Sequence, residues 1–265
     1  LALTFARQGR TAAYLDCDVE APNGHLLLNP AIDHRYPVTR PIPAVDLDAC
    51  GRCGACERAC QFGAIVCLGI TVQVNPNLCK SCGACRAVCP RDAITEVDHT
   101  VGYVETGHVE SLHFAHGVLD VGQARGIPVI DAVKQAAPSD VDIAIIDAPP
   151  GTSCPTVTAV RDADLVILVA EATAFGLSDL TMAVETMQSL AVPIGVIINR
   201  CDRGDDRVRT LCHRRSIPVL AEVGYSPALA RGYADGSLNQ IIDALGEWPA
   251  AILEALSTIR ARRAS

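Results

Sequence analysis

The sequence predicts an α/β chain: a doubly wound, mostly parallel sheet interrupted near its front by a small α+β cysteine-rich unit. Three observations carry this expectation. Continuous Val/Ile/Leu runs alternate with helix-period stretches through the second half, the pattern of strands covered on both faces. Hydrophobic residues make up 49% of the 265 residues and aromatic residues only 4%, so small aliphatic side chains must fill the core. Nine of the 13 cysteines fall within the 40 residues from Cys50 to Cys89.

Residues 1–8 (LALTFARQ) read as the last turns of an amphipathic helix stopped by Gly9. Residues 11–18 (TAAYLDCD) form an apolar run ending in two acids, a strand feeding the loop chemistry of Ala21-Pro22-Asn23-Gly24. Prolines punctuate residues 37–43 (PVTRPIP), which read as a linker. The cysteine-rich segment, residues 46–97, is an internal repeat. Residues 50–65 and 79–94 both follow C-x-x-C-G-A-C-x-x-x-C and end in Ala-Ile, with a short strand expected at 71–74 between them. Residues 98–122 carry little pattern. Buried strands are then expected at 141–147, 164–171, 192–199 and 217–223. Helices are expected at 156–162, 177–190, 205–215 and 227–235, with a last one near 250–262. The expected division is one discontinuous domain, residues 1–45 and 98–265, around an insert at 46–97.

Composition narrows the function classes. The formal net charge is −8 and no Lys/Arg-rich run stands out, so nucleic acid is not expected as a partner. The longest apolar stretches fall far short of the ~20 residues that cross a bilayer, so no membrane span is expected. Secreted disulfide scaffolds are short chains starved of core. This chain has aliphatic strands on both sides of its cysteines, and a reducing cytoplasm with metal-bound thiolates fits it better.

The runs Cys50-x-x-Cys53-x-x-Cys56-x-x-x-Cys60 and Cys79-x-x-Cys82-x-x-Cys85-x-x-x-Cys89-Pro90 match the bacterial ferredoxin motif twice. Three cysteines two residues apart wrap a tight loop around one corner of a cubane cluster, and Gly54 and Gly83 let that loop turn close to the inorganic sulfurs. The fourth cysteine points away, and in two-cluster ferredoxins it ligates the other cluster. The expected sets are therefore Cys50, Cys53, Cys56 and Cys89 for one [4Fe–4S] cluster and Cys79, Cys82, Cys85 and Cys60 for the second. Zinc, which prefers paired C-x-x-C units, suits these runs poorly. Gln61 stands where Pro is usual after the fourth cysteine. Cys67 reads as a buried strand residue.

An Asp at the end of a buried strand followed by a Pro/Gly loop is what a Mg²⁺-phosphate site needs. Asp147 would hold the metal's water shell and the Gly151 N–H would approach the γ-phosphate. Acids at strand ends also merely solvate loops, and the residues alone leave both readings open. Residues 15–23 (LDCDVEAPN), 147–155 (DAPPGTSCP), 171–177 (EATAFGL) and 197–200 (IINR), in this order, resemble the MinD/ParA/Mrp-type P-loop ATPases. The cysteine motifs that follow the first segment resemble the branch with an inserted two-cluster ferredoxin domain. The resemblance implies ATP with Mg²⁺ beside the two clusters. It gives Asp18 the orientation of the attacking water, Asp16 a supporting place around Mg²⁺, and Asn199 and Arg200 contact with adenine. It also implies a homodimer, or a heterodimer with a related ATPase, and a redox partner protein.

Such a site also needs a Gly-rich loop and a lysine at the phosphates. The only lysines are Lys80, inside the second cysteine motif, and Lys134, in a helical stretch after Pro128, and neither serves. The family's loop is expected just before residue 1, so ATP hydrolysis is expected only where that segment is present. Cys154 lies seven residues after Asp147, the offset of an interface cluster ligand in the related nitrogenase iron protein, but no second cysteine accompanies it. Cys17, Cys201 and Cys212 are expected to pack as small apolar residues, and His108, His113 and His116 to lie in a solvated loop. The expected function is an iron–sulfur nucleotide-binding protein that couples ATP state to electron transfer. The alternatives are a cluster carrier of Mrp type and a ferredoxin-type electron carrier on a non-hydrolysing ATPase frame.

Overall fold

The computed structural model describes residues 1–203, 206–243 and 248–264. The chain runs α1 (Ala2–Arg7), β1 (Ala12–Asp16), α2 (Gly24–Leu28), β2 (Ala31–Val45), α3 (Ala55–Ala59), β3 (Ile65–Cys67), β4 (Val72–Val74), α4 (Ala84–Ala87), β5 (Ile94–Val109) and β6 (Leu112–Leu119). It continues through α5 (Ile127–Gln135), β7 (Ile143–Asp147), α6 (Cys154–Val160), β8 (Val166–Glu171), α7 (Ala174–Ser189) and β9 (Ile194–Asn199). The last elements are α8 (Arg207–Arg214), β10 (Val219–Val223), α9 (Pro227–Ala234), α10 (Leu238–Asp243) and α11 (Trp248–Ala264).

Two larger sheets share the molecule. A five-stranded sheet has the order β2-β5-β6-β1-β7, and a three-stranded sheet has the order β10-β9-β8. β1 pairs in parallel with both β6 and β7, and β9 does the same with β8 and β10. Among the described residues antiparallel pairing is confined to β2 with β5, β5 with β6, and the small hairpin of β3 with β4 in the insert. Helices cover the sheets. α5 packs on the β1 region through Val129, Ile130 and Val133, and α7 covers the second sheet through Leu180 and Val184. Phe5 of α1 and Ile252 of α11 belong to a third core that reaches both β7 and β8.

The aliphatic strands lie where their runs place them, as do the helices of the second half within a few residues. Residue 205, where the helix before β10 was expected to start, lies outside the described residues; the helix forms over Arg207–Arg214. α7 starts earlier than its apolar period suggests. Thr173 caps it by accepting the Gly176 N–H at 3.0 Å, and a Cβ on Gly176 would stand 2.3 Å from the Glu171 carbonyl oxygen.

Two expectations are overturned. Residues 37–43 are not a linker but the middle of β2, a strand paired with β5 from Ala31↔His108 to Val45↔Ile94. β2 lies at the sheet edge, the one place where Pro37, Pro41 and Pro43 do no harm to a ladder. Residues 98–122 hold most of β5 and all of β6, so His108, His113 and His116 are on strands, and His116 is only 3% exposed. A bulge at the Val38/Thr39 step, opposite Val101, marks where the β2/β5 ribbon leaves the sheet. The cysteine-rich segment is suspended between the two strands of that ribbon.

Phe5 is fully buried in the core that joins the two sheets. Phe5→Ala is expected to lower stability by about 3–5 kcal/mol in urea denaturation followed by circular dichroism.

Candidate functional site

In the insert the repeat seen in sequence becomes a repeat in geometry. Arg52 and Ser81 adopt left-handed backbone at φ 53° and 56°, and Gly54 and Gly83 follow at 68° and 70°. The Arg52 and Ser81 N–H groups donate to the Cys50 and Cys79 sulfurs at 3.4 Å each. The Ala64 and Ala93 N–H groups donate to the Cys60 and Cys89 sulfurs at 3.3 Å each. Left-handed turns aim backbone donors inward at sulfur, the cradle that an iron–sulfur group needs.

The structure brings Cys50, Cys53, Cys56 and Cys89 around one cavity of about 290 Å³. Cys67, expected to be buried, is half-buried and lines the same cavity; its thiol donates to the Arg52 carbonyl oxygen at 3.7 Å. In the second half Cys79, Cys82 and Cys85 lie close enough for their charges to interact. Cys60 stands at the end of α3, which packs against α4. Burial pushes the Cys56 and Cys85 thiols up. At Cys60 burial acts in the same direction, but N–H donors from Phe62, Ala64, Ile65 and Gly63 outweigh it and hold the thiol below its ordinary value. All eight cysteines of the two motifs are free thiols, and soft thiolate donors in this number and spacing fit two [4Fe–4S] groups.

A second constellation lies at the C-terminal ends of the parallel strands. Asp16 and Asp147 end β1 and β7 side by side in register. Asp16 is 1% exposed and accepts the N–H groups of Asp18 at 3.2 Å, Asn23 at 3.2 Å and Gly24 at 2.9 Å. Burial raises its carboxyl above the ordinary value; the Gly24 N–H opposes this shift and the Asp147 charge reinforces it. Burial also raises Asp18. Tyr14 donates its hydroxyl to Asp147 at 2.6 Å, and burial together with that carboxylate pushes the phenol well up. On the other side of β1, His116 is the register partner of Asp16, and its Nε2 lies 2.8 Å from Glu105 Oε2.

β7 and β8 face each other without pairing, and a cavity of about 1540 Å³ runs between them along the full length of both strands. Its C-terminal end is lined by Asp147, Gly151, Thr152, Glu171 and Thr173. Val169 in the middle of β8 is 66% exposed, unusual for an aliphatic strand residue in an α/β sheet. Gly151 has φ 88°, a left-handed turn that glycine adopts without strain. Asn199 ends β9 next to Glu171, and Arg200 turns left-handed at φ 53° and pairs with Glu171 at 3.1 Å. Lys134 is occupied elsewhere, on Thr158 O and Asp162. Cys154 is exposed at the start of α6, whereas Cys17 and Cys212 are buried and Cys201 is half-buried against the second core.

Sequence reasoning missed Tyr14, His116 and Glu105. Tyr14 had a signal: two residues before a strand-end acid, it shares that acid's face. His116 and Glu105 meet only because β5 and β6 pair in one register, which nothing local announces.

Comparisons with known proteins bear on the cysteine-rich segment and on the fold. Residues 43–66 and 72–95 match the 4Fe-4S binding domain family. The fold superposes on MinD of Pyrococcus horikoshii complexed with Mg-ADP, at 16% identity over 89% of this chain and 77% of that one, with a TM-score of 0.51. It superposes on the MinC:MinD complex of Aquifex aeolicus at 15% identity over 100% and 88%, with a TM-score of 0.51. A Cyanothece McdA–ATP complex gives 13% identity over 94% and 86%, with a TM-score of 0.53. The fold is that of the MinD/ParA-type P-loop ATPases, with a ferredoxin-like 4Fe-4S unit inserted. In sequence the chain is 34% identical over 202 residues to the uncharacterized protein MJ0578 of Methanocaldococcus jannaschii, covering 76% of this chain and 71% of that protein. It is 26% identical over 198 residues to MJ0579 of the same organism, covering 74% and 71%. The chain belongs to the MJ0578 family.

Tyr14→Phe removes a donor to a strand-end carboxylate and is expected to cost about 1–3 kcal/mol. A double-mutant cycle with Asp147→Ala, read by chemical denaturation, should recover most of that loss as coupling.

Proposed function

We propose that this chain is an iron–sulfur electron-transfer protein in which nucleotide state, sensed where β1 and β7 end, governs two [4Fe–4S] clusters. The observation that carries this reading is the β2/β5 ribbon. One pair of strands starts beside the Asp16 end of the sheet, where Glu105 meets His116, and ends at the insert with Val45 and Ile94. Residues 1–45 and 98–265 then act as the nucleotide domain and 46–97 as the redox domain.

Cys50, Cys53, Cys56 and Cys89 hold one cluster, and Cys79, Cys82, Cys85 and Cys60 the other. When bound, the clusters supply one-electron storage and transfer at potentials that hydrogen bonds and burial set. The Arg52, Ser81, Ala64 and Ala93 N–H groups stabilise charge on the ligand sulfurs. At the other end Asp147 orders the water shell of Mg²⁺, Asp16 supports it through the backbone of residues 18–24, and Asp18 orients water toward the γ-phosphate. The Gly151 N–H approaches that phosphate, and Asn199 and Arg200 contact adenine.

The phosphate-binding loop and its lysine come in this reading from a segment preceding residue 1. The cavity between β7 and β8 supports that assignment. A strand laid there would pair with both free edges and join the two sheets, and the loop after it would emerge beside Asp147 and Gly151. The working form is a dimer. Two relatives in one organism favour pairing with a related, non-identical copy, and a redox protein is the further partner.

Two measurements test the reading. Cys60→Ala should lower bound iron from about eight to about four atoms per chain and remove the signal of the second cluster, read by iron analysis and electron paramagnetic resonance. In anaerobically reconstituted protein that includes the preceding segment, the reduction potentials should differ between Mg-ATP, Mg-ADP and no nucleotide. Identical potentials in all three states reject the coupling.

A further inference from the structure

Arg40 is a buried cation that no carboxylate among the described residues pairs with. It lies on the part of β2 that has left the sheet, and it is 6% exposed. Its guanidinium donates to Pro76 O at 2.5 Å, Cys79 O at 3.1 Å and Ser81 Oγ at 3.1 Å, all neutral oxygens of the second cysteine loop. Its Nε is buried with no acceptor. Among the described residues no carboxylate pairs with it. A guanidinium stays charged, and a buried charge without a counter-ion is strongly unfavourable.

We propose that Arg40 is the counter-charge of the second cluster and raises its reduction potential above that of the first. The inference rests on the ligand sets proposed above. Four thiolates give such a cluster a net negative charge and reduction adds one more, so a fixed cation beside it favours the reduced form. The first half has no equivalent. Arg52, Arg58 and Arg91 near the Cys50 loop are exposed, so water and salt screen them. Arg91 reaches only the Ala49 carbonyl oxygen, at 3.4 Å, and Arg58 the Cys53 carbonyl oxygen, at 3.1 Å. Arriving electrons therefore settle on the second cluster, whose loop is gripped by a strand of the ATPase sheet.

The test compares the native protein with Arg40→Gln and Arg40→Lys, all loaded anaerobically, by iron analysis and redox titration followed by electron paramagnetic resonance. A Cys53→Ser variant marks the first cluster by shifting that potential alone. In the native protein the higher potential should belong to the second cluster. Arg40→Gln should retain about eight irons and lower the second cluster's reduction constant about tenfold, or about 59 mV for one electron. The first cluster should stay within about twofold and Arg40→Lys within about threefold of native. The opposite native order, no shift in Arg40→Gln, an equal shift of both clusters, or an equal drop in Arg40→Lys overturns the proposal. Native protein that binds about four irons or fewer overturns the ligand sets instead, a separate failure.

Discussion

The antiparallel pairing of β2 with β5 extends over the length of both strands, and it answers the problem that any inserted domain poses. The chain must leave a folded core and return to it at neighbouring points, or the host loses the closure that holds it together. A ribbon keeps exit and return about one strand spacing apart while carrying them clear of the sheet. The same ribbon gives the insert its floor: Val45 and Ile94, at its tip, pack with Ile65, Val72 and Cys56 in the small core between the cysteine loops. That core is too small to stand on aliphatic burial alone, so cluster ligation and the ribbon must supply the rest.

The two ends of the ribbon meet opposite electrostatic problems. At the sheet, register forces Asp16 and Asp147 together, and burial disfavours the charge on Asp16. Three backbone N–H groups on Asp16 and a phenol on Asp147 make that arrangement tolerable and leave the pair poised for a cation. At the insert the surplus has the other sign, a guanidinium without an acid beside free thiols. Each end is thus short of the charge that its proposed ligand brings.

How much of this was legible in the sequence depends on what fixed each element. β9 is buried on both faces, so it spells itself as an unbroken aliphatic run, and the cysteine motifs are legible because a cluster dictates ligand spacing locally. β2 was misread because its prolines are turn residues everywhere except on an edge, and being an edge is a fact about the whole sheet. β5 and β6 were missed because half of β5 lies in an exposed ribbon, where no apolar period is imposed. Arg40 looked like one of many surface arginines. Its burial follows from the second cysteine loop folding back over the ribbon, a contact 36 to 41 residues away in sequence. The strand-end acids were visible, whereas their hydrogen bonds were not, since those depend on the turn at residues 18–24.

Coupling between the two ends, as proposed, is bound by reciprocity. If nucleotide binding changes a cluster's reduction constant tenfold, reduction changes nucleotide affinity by the same factor, about 1.4 kcal/mol. That energy must be carried by an element with two arrangements that touches both sites. The ribbon touches the first through Glu105 and His116 and the second through Arg40, and the bulge opposite Val101 lies between them. One hydrogen bond to a charged group is worth about 1.5–3 kcal/mol, so making or breaking the Glu105–His116 contact alone matches the required scale. A displacement of the ribbon too small to disturb the buried core would change the distance between Arg40 and the charge it faces. Since Coulomb energy in a poorly solvated interior varies steeply with distance, a small movement there suffices where the same movement of an exposed arginine would be screened away.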